Sequence, residues 1–127
     1  MAYPTTPGQS LTAASVTTTA SSGQGSTQAT ATVMGSHSAV FTVTNFVAGA
    51  TGDTVLVLAI EGNLDGSTWV NVTEVSVEGN GVYVVVPTLG SGMGKVPMAN
   101  LRTSAYFKGF GTGSPTATVT AWIASEA

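Results

Sequence analysis

The sequence predicts an all-β protein, an antiparallel β-sandwich of seven or eight short strands, with a jelly-roll arrangement as the second choice. The first supporting observation is composition: the 127 residues include 21 Thr and 17 Val but 6 Leu and 2 Ile. Side chains branched at Cβ favour strands and weaken helices. The second is spacing, because short apolar segments recur about every 8 to 15 residues with turn-forming residues between them, as in sandwiches and barrels.

Residues 1–27 form a segment of their own that is rich in Ser, Thr and Gly and carries no charged side chain. Such tracts behave as flexible linkers unless something binds them. Two arrangements stay open: a first strand around Leu11–Thr19 attached to the main sheet, or an extended arm that orders on a neighbouring subunit. Tyr3 and Leu11 are among its few large apolar residues, so they are candidate interface residues. Residues 28–127 are predicted to form the sandwich domain.

Three strands are predicted before the first hairpin, at Gln28–Met34, Ala39–Val47 and Val55–Ile60. The first holds only small and hydroxyl side chains over most of its length, so its pattern is weak. In the second, Phe41 and Val43 alternate with threonines, which is the period-2 pattern of a strand with one buried face. The third is apolar on both faces, and this predicts a strand near the middle of the fold.

A hairpin is predicted at Asp65-Gly66, because both residue types tolerate the positive φ that tight turns need. The returning strand is expected over Trp69–Thr73. The valines that follow change from even to odd positions. This change of phase predicts a β-bulge or a short turn near Thr73–Glu74.

The second half of the chain predicts three more strands, at Val82–Val86, Ala99–Phe110 and Thr116–Ile123. Pro87 ends the first of them, and the glycine-rich residues 88–98 form a loop. Alternation in the second puts Arg102 and Tyr106 on its outer face. In the third, Trp122 has the opposite parity to the apolar residues around it, so it lies outside among threonines. Trp122, Tyr106 and Arg102 are therefore candidate interface residues.

Charge and composition exclude several function classes. The three cations, Lys95, Arg102 and Lys108, and the net charge of −3 do not suit a nucleic-acid partner, which requires clustered positive charge. The chain has no Cys and one His, which rules out disulfides, thiolate metal sites and a multi-histidine zinc site within one chain. No secretory leader and no apolar run of membrane-spanning length are recognised, so we expect a soluble protein made in the cytoplasm without a membrane partner.

No enzymatic activity is predicted, and no catalytic, metal-binding or cofactor-binding residue is assigned. Glu61 and Glu74 come nearest to a glycosidase pair, but the pattern favours solvated edge carboxylates that discourage strand association. Asp53 and Asp65 lie in segments without the carboxylate density of a calcium loop. His37 stands between two serines but outside any motif of a serine nucleophile, and we expect it in an exposed turn.

Several ordered elements carry a resemblance to a known group of structural proteins. A Thr/Ser-rich lead-in precedes the strand Ala39–Thr44, then the strand, Asp-Gly turn and Trp of Val57–Trp69, and finally Leu101–Lys108 and Ser114–Thr120. In this order of elements the chain resembles a family of small tailed-bacteriophage virion proteins built as β-sandwiches. The resemblance implies a structural role in a phage particle and implies no catalytic residue.

More specifically, the resemblance implies a decoration or cement protein on the capsid surface that bridges capsid subunits. Its partners would be the major capsid protein or other virion proteins. Low charge favours the same interpretation, because a surface with few charges is poorly solvated on its own, and we expect a homo-oligomer. The alternatives are a tail, neck or fibre protein, and a carbohydrate-binding module that stacks a sugar on Trp69 or Trp122.

Overall fold

The computed structural model describes residues 8–29, 34–49, 53–86, 95–97 and 99–126. Within these residues the chain forms nine strands: β1 (Gly8–Val16), β2 (Gln28–Ala29), β3 (Met34–Val47), β4 (Val55–Asn63), β5 (Val70–Val77), β6 (Gly81–Val85), β7 (Lys95–Pro97), β8 (Asn100–Lys108) and β9 (Thr116–Glu126). One turn of 3₁₀ helix, Ala20–Gly23, precedes β2. No helix in this part of the chain is long and apolar enough to span a bilayer.

The strands form two antiparallel sheets. Sheet I has the strand order β1-β9-β3-β6, and β7 also pairs with β3. Sheet II has the order β2-β8-β4-β5. Consecutive strands lie in different sheets except for the pairs β4–β5 and β6–β7, so each sheet joins strands from the start of the chain to strands from its end. This is the strand order of a jelly roll.

The predicted antiparallel β-sandwich is confirmed, and its connections are those of the jelly roll that stood second. The described residues hold nine strands where seven or eight were expected, because the three-residue β7 lies within residues 88–98, which were predicted to form a loop. The weak strand expected over Gln28–Met34 corresponds to β2 and to the start of β3, and residues 30–33 lie outside the described residues.

The core lies between the two sheets and is filled by alternate residues of the long strands. Phe41 and Val43 of β3 are 0% and 1% exposed, as their alternation predicted. The other large core side chains are Leu11, Val16, Leu56, Leu58, Ile60, Val77, Val85, Leu101, Phe107, Val119 and Ile123. Because successive side chains of a strand point to opposite faces, the same pattern decides which residues each sheet presents to the outside.

Strand β4 is buried on both faces. On its outer side Val57 and Ala59 are fully buried, like the alternating residues Leu56, Leu58 and Ile60 that face the core. In register, Val57 lies between Ser76 of β5 and Tyr106 of β8. The prediction of a strand near the middle of the fold is confirmed, since β4 has a neighbour on each side and a covered outer face.

The predicted interruption of β5 is a β-bulge. Ile60 pairs with Thr73, but the next residue, Glu61, pairs with Asn71. Val72 is therefore the extra residue, and it packs partly against the core. The bulge lies one residue before the predicted position, Thr73–Glu74, and the strand continues through it without a turn.

The described part of the N-terminal segment packs on this chain's own sheets. β1 pairs with β9, and Val16 is fully buried. After the 3₁₀ turn, Gly25 N donates to Thr103 O at 2.8 Å and Ser26 N donates to Ser10 O at 2.8 Å. These bonds hold the connection between β1 and β2 against both sheets, and residues 1–7 lie outside the described residues.

The expectation of an exposed turn histidine is wrong. His37 lies inside β3 and is 2% exposed. The strand begins at Met34, before the predicted start at Ala39. His37 then shares the parity of Phe41 and Val43, which turns its side chain toward the interior.

The close packing of the β1–β2 connection gives a first test. A Cβ on Gly23 would collide with the carbonyl oxygen of Ala105 in β8. We predict that Gly23→Ala lowers the free energy of unfolding by about 1–3 kcal/mol, the usual cost of forcing atoms into a packed site. Gly79→Ala is the matched control, because a Cβ there meets nothing within 4 Å. Urea unfolding measures both, and a wild-type midpoint for Gly23→Ala would contradict this packing.

Candidate interaction surface

The outer face of sheet I carries an exposed apolar patch. We call it the valine face and define it by Val40 of β3, Val82 and Val84 of β6, and Trp122 of β9. These side chains are 38%, 67%, 65% and 45% exposed, respectively. They point outward because Ala39, Phe41 and their neighbours of the same parity fill the core.

Strand register places these residues side by side. Val40 pairs with Val84 on one side and with Trp122 on the other. Since neighbouring strands lie about 4.8 Å apart, these three side chains form one row across three strands. The next row begins with Val82 beside Thr42. The valine face is thus a continuous strip of branched and aromatic side chains bordered by hydroxyls.

The charged side chains that the structure describes lie away from this face. Among the side chains that the structure describes, none on the outer face of sheet I is charged. Lys95 of β7 and Glu126 of β9 both pair with Ser36 at one end of sheet I. The charged residues whose side chains are described lie on sheet II or in the connections: Arg102, Lys108, Glu61 and Glu74 on sheet II, and Asp53, Asp65 and Glu78 between strands. A partner that covers the valine face therefore desolvates no described charge, and desolvating charges is the largest penalty an interface can carry.

A shallow depression of about 330 Å³ adjoins Trp122. Its lining residues are Ser38, Val40, Trp122, Ile123 and Ala124. This volume is at the lower end for ligand pockets, which hold roughly 300–1,000 Å³. Ser38 supplies the only side-chain hydrogen-bonding group of this lining apart from the indole N–H, so the depression suits an apolar side chain better than a polar ligand.

The outer face of sheet II, in contrast, is closed by contacts within the chain. Arg102 Nε donates to Glu61 Oε1 at 2.7 Å. The Arg102 guanidinium also lies over the Trp69 ring, 4.1 Å from its centroid. Both charged side chains are about four-fifths buried, at 17% and 20% exposure. One face of the Trp69 indole is therefore already occupied by a cation, an arrangement that itself stabilises the fold.

Tyr106 completes this closed face. Its ring lies beside Val57 in register, and its hydroxyl is 3.5 Å from Glu74 Oε2. Burial raises the pKa of Tyr106, and the negative charge of Glu74 raises it further. The Lys108 ammonium is 6.0 Å from the centroid of the Tyr106 ring. Sheet II thus covers its outer apolar residues with its own ionic and aromatic side chains.

The structure separates the five interface residues predicted from the sequence. Trp122 lies on the outer face of sheet I, whereas Arg102 and Tyr106 lie on the opposite side of the sandwich. Leu11 is 5% exposed and packs in the core. Tyr3 lies outside the described residues.

Sequence reasoning missed Val82 and Val84 as members of this surface. The segment Gly81–Val85 is apolar at nearly every position, so alternation gave no indication of its two faces. Pairing with β3 determines which face of β6 points outward. Tyr83 lies opposite the buried Phe41 and shares its face, so Val82 and Val84 lie on the outer face. The sequence feature that could have indicated an apolar surface here was the absence of charged residues along the segment.

The acidic residues considered above as catalytic or calcium-binding candidates do not come together as a site in the described residues. Glu61 is held by Arg102, and Glu74 is near Tyr106. Asp65 Oδ1 accepts hydrogen bonds from Thr68 N at 2.7 Å and Ser67 N at 2.9 Å in the β4–β5 turn. Within the described residues, no group of three or more His, Asp or Glu side chains is placed to hold a metal ion.

Comparisons with known proteins add one distant similarity. No protein-family model matches the chain, and no curated protein matches it significantly. The chain is similar to a solved structure of infectious bursal disease virus, Gx strain, with 14% sequence identity and a TM-score of 0.47. The match covers 99% of this chain and 32% of that chain, so the present chain spans about a third of its length.

The hydrogen bonds of the β4–β5 turn predict a lowered pKa for the carboxyl group of Asp65. Backbone N–H groups of Thr68 and then Ser67 lower the pKa of Asp65 from 3.8 to about 2. Because the folded value lies below the ordinary one, this carboxylate stabilises the fold above pH 3.8 and loses that effect as the pH falls toward the folded pKa. We expect a carboxyl carbon NMR titration to report about 2 for Asp65. A value near the ordinary one would contradict the turn geometry.

The ion pair on sheet II predicts that Arg102 contributes more to the stability of the fold than the exposed Lys108 does. Arg102→Ala removes the bond to Glu61 and the contact with Trp69, and we expect it to lower the free energy of unfolding by about 1–2 kcal/mol. Lys108→Ala is the control, because Lys108 is exposed and its ring contact is long. Thermal unfolding measures both variants. Equal effects of the two substitutions would mean that the Arg102 cluster contributes nothing specific.

Proposed function

We propose that this chain is a non-enzymatic virion structural protein that decorates or cements a phage capsid, with the valine face as its contact to the major capsid protein or other virion proteins. The observation that carries the proposal is the valine face itself: an exposed apolar strip on a rigid sheet, free of described charged side chains. Monomeric proteins rarely expose such patches without a partner.

The energetics of such a contact favour attachment by burial. Each Å² of apolar surface that the two partners remove from water contributes roughly 25 cal/mol, against an association cost of about 4–15 kcal/mol. A single small contact gives modest affinity. A copy that touches two neighbouring capsid subunits gains from both, and this raises the free energy needed to separate them.

The jelly-roll order of the strands supports a structural role at the level of fold. Jelly rolls occur in viral capsid domains and also in lectins. Because one fold serves many functions, the fold alone does not choose between these two. The choice rests on the chemistry of the exposed face.

Carbohydrate binding is the second candidate, and exposed Trp122 favours it. An aromatic ring can stack on the apolar face of a sugar. A sugar site also needs several polar groups placed to bind hydroxyls, whereas the depression beside Trp122 offers Ser38 among aliphatic neighbours. Trp69 is a poorer platform, because Arg102 covers one face of its ring. A protein partner therefore fits the valine face better than a sugar.

A charge placed on the valine face tests the capsid proposal. We expect Val40→Lys to abolish retention on capsids that lack the chain, measured by co-sedimentation, because it buries an unpaired cation at the contact. Ser76→Lys is the matched control, since Ser76 is exposed on the opposite face. Equal retention of the two variants would refute the valine face as the contact surface.

Salt and sugar separate the two candidates further. A contact without ion pairs is little affected by screening, so we expect capsid retention to stay constant as ionic strength rises. Tryptophan fluorescence that responds to polysaccharide, and no longer does so in Trp122→Ala, would favour the carbohydrate-binding module if capsids are not bound. Retention that falls steeply with salt would contradict an apolar contact.

A further inference from the structure

Five of the described strands lie at sheet edges, and four of them carry features that hinder pairing with another strand. β7, which follows β6 along the same edge of sheet I, has three residues that include Lys95 and Pro97. β1 has two register shifts against β9 and a positive φ of 44° at Ala13. β2 has two residues. β5 has the bulge at Val72 and the exposed carboxylate Glu74. Short strands, bulges and charges are the usual protection of a sheet edge against a further strand.

β6 lacks all of these features. Its five residues pair with β3 in unbroken register, from Gly81 opposite Val43 to Val85 opposite Ala39. It contains no charged residue and no proline. Val82 and Val84 are about two-thirds exposed, and no described strand pairs with the other edge of β6. Uncharged strands rich in branched side chains at an open edge are the ones that readily accept a further strand.

We propose that the open edge of β6 pairs with β6 of a second copy, antiparallel about a two-fold axis at Tyr83. A strand pairs with its own copy in this way because the interface uses the same residues from both sides. Val82 then lies opposite the partner subunit's Val84, and branched residues facing each other across strands stabilise the pair. The occupant is a second copy because the strand is neutral, so two copies meet without repulsion.

Charge placement around the edge agrees with this two-fold arrangement. The nearest described carboxylate is Glu78, just before β6. In the antiparallel pairing Glu78 and the partner subunit's Glu78 lie ten residues apart along the strands, or about 33 Å at 3.3 Å per residue. Their repulsion is negligible at that distance in physiological salt.

Edge pairing would join the two copies of sheet I into one continuous sheet. The two valine faces then lie side by side, and the exposed apolar strip doubles in width. Two linked contacts bind a lattice more tightly than one, because the second forms at high effective concentration. The pairing itself does not depend on a capsid partner, so it can be tested on the isolated chain.

Sedimentation equilibrium tests the dimer directly. We expect the wild-type chain to dimerise, and Val84→Lys to raise the dimer dissociation constant about tenfold or more, since it replaces a branched pair with a charge at the junction. Thr44→Lys is the matched control, because Thr44 is exposed on the same outer face but in β3. A wild-type chain that stays monomeric, or equal effects of the two lysines, would overturn the proposal.

Cysteine crosslinking tests the register without a disruptive substitution. The chain has no native Cys, so Val82→Cys and Val84→Cys introduce unique thiols. In the proposed register each single variant keeps its two thiols diagonal, whereas a mixture of the two variants places unlike thiols directly opposite, within disulfide reach. We expect oxidised dimers mainly in the mixture. Equal crosslinking in all three samples, or none, would contradict the register.

The two proposals fail independently. A Val40→Lys chain that no longer binds capsids but still dimerises supports both. Capsid binding by a chain that stays monomeric would overturn edge pairing and leave the valine face as the capsid contact. Dimerisation without capsid binding in the wild type would overturn the proposed function and leave edge pairing in place.

Discussion

The distribution of a very small number of charges governs how this sandwich meets its surroundings. The sequence has three cations and six carboxylates in 127 residues, and those whose side chains the structure describes lie on sheet II or between strands. Sheet II uses them to cover its own outer face, through Arg102, Glu61 and the rings beside them. Sheet I has no such cover in the described residues. Exposing an apolar sheet face to water is unfavourable in free energy, and a partner that covers the face removes this cost.

Alternation along single strands predicted much of the fold. In β3 and β9 it correctly placed Phe41 inside and Trp122 outside, because a two-residue period ties each side chain to one face. It failed where the pattern was ambiguous: β6 is apolar on both faces, and β3 begins earlier than its alternation showed, which buries His37. The bulge at Val72 was placed one residue away, since a change of parity marks an extra residue but not its exact position.

The arrangement of the candidate surface could not be predicted, because it depends on which strands share a sheet. Arg102 and Trp122 are both outward residues of neighbouring strands in the sequence, and they lie on opposite sides of the molecule. Pairing between distant strands decides this, and no short-range pattern specifies it. The jelly-roll order brings β6, β3 and β9 together, and with them the valines that a strand-by-strand reading could not group with Trp122.

An electron cryomicroscopy map of particles that carry the chain tests the central claim most directly. We expect density for the chain on the capsid surface, with Val40 and Trp122 against a capsid subunit and the Arg102–Glu61 pair facing solvent. A map that places the sheet II face against the capsid, or that finds the chain on the tail instead, would contradict it.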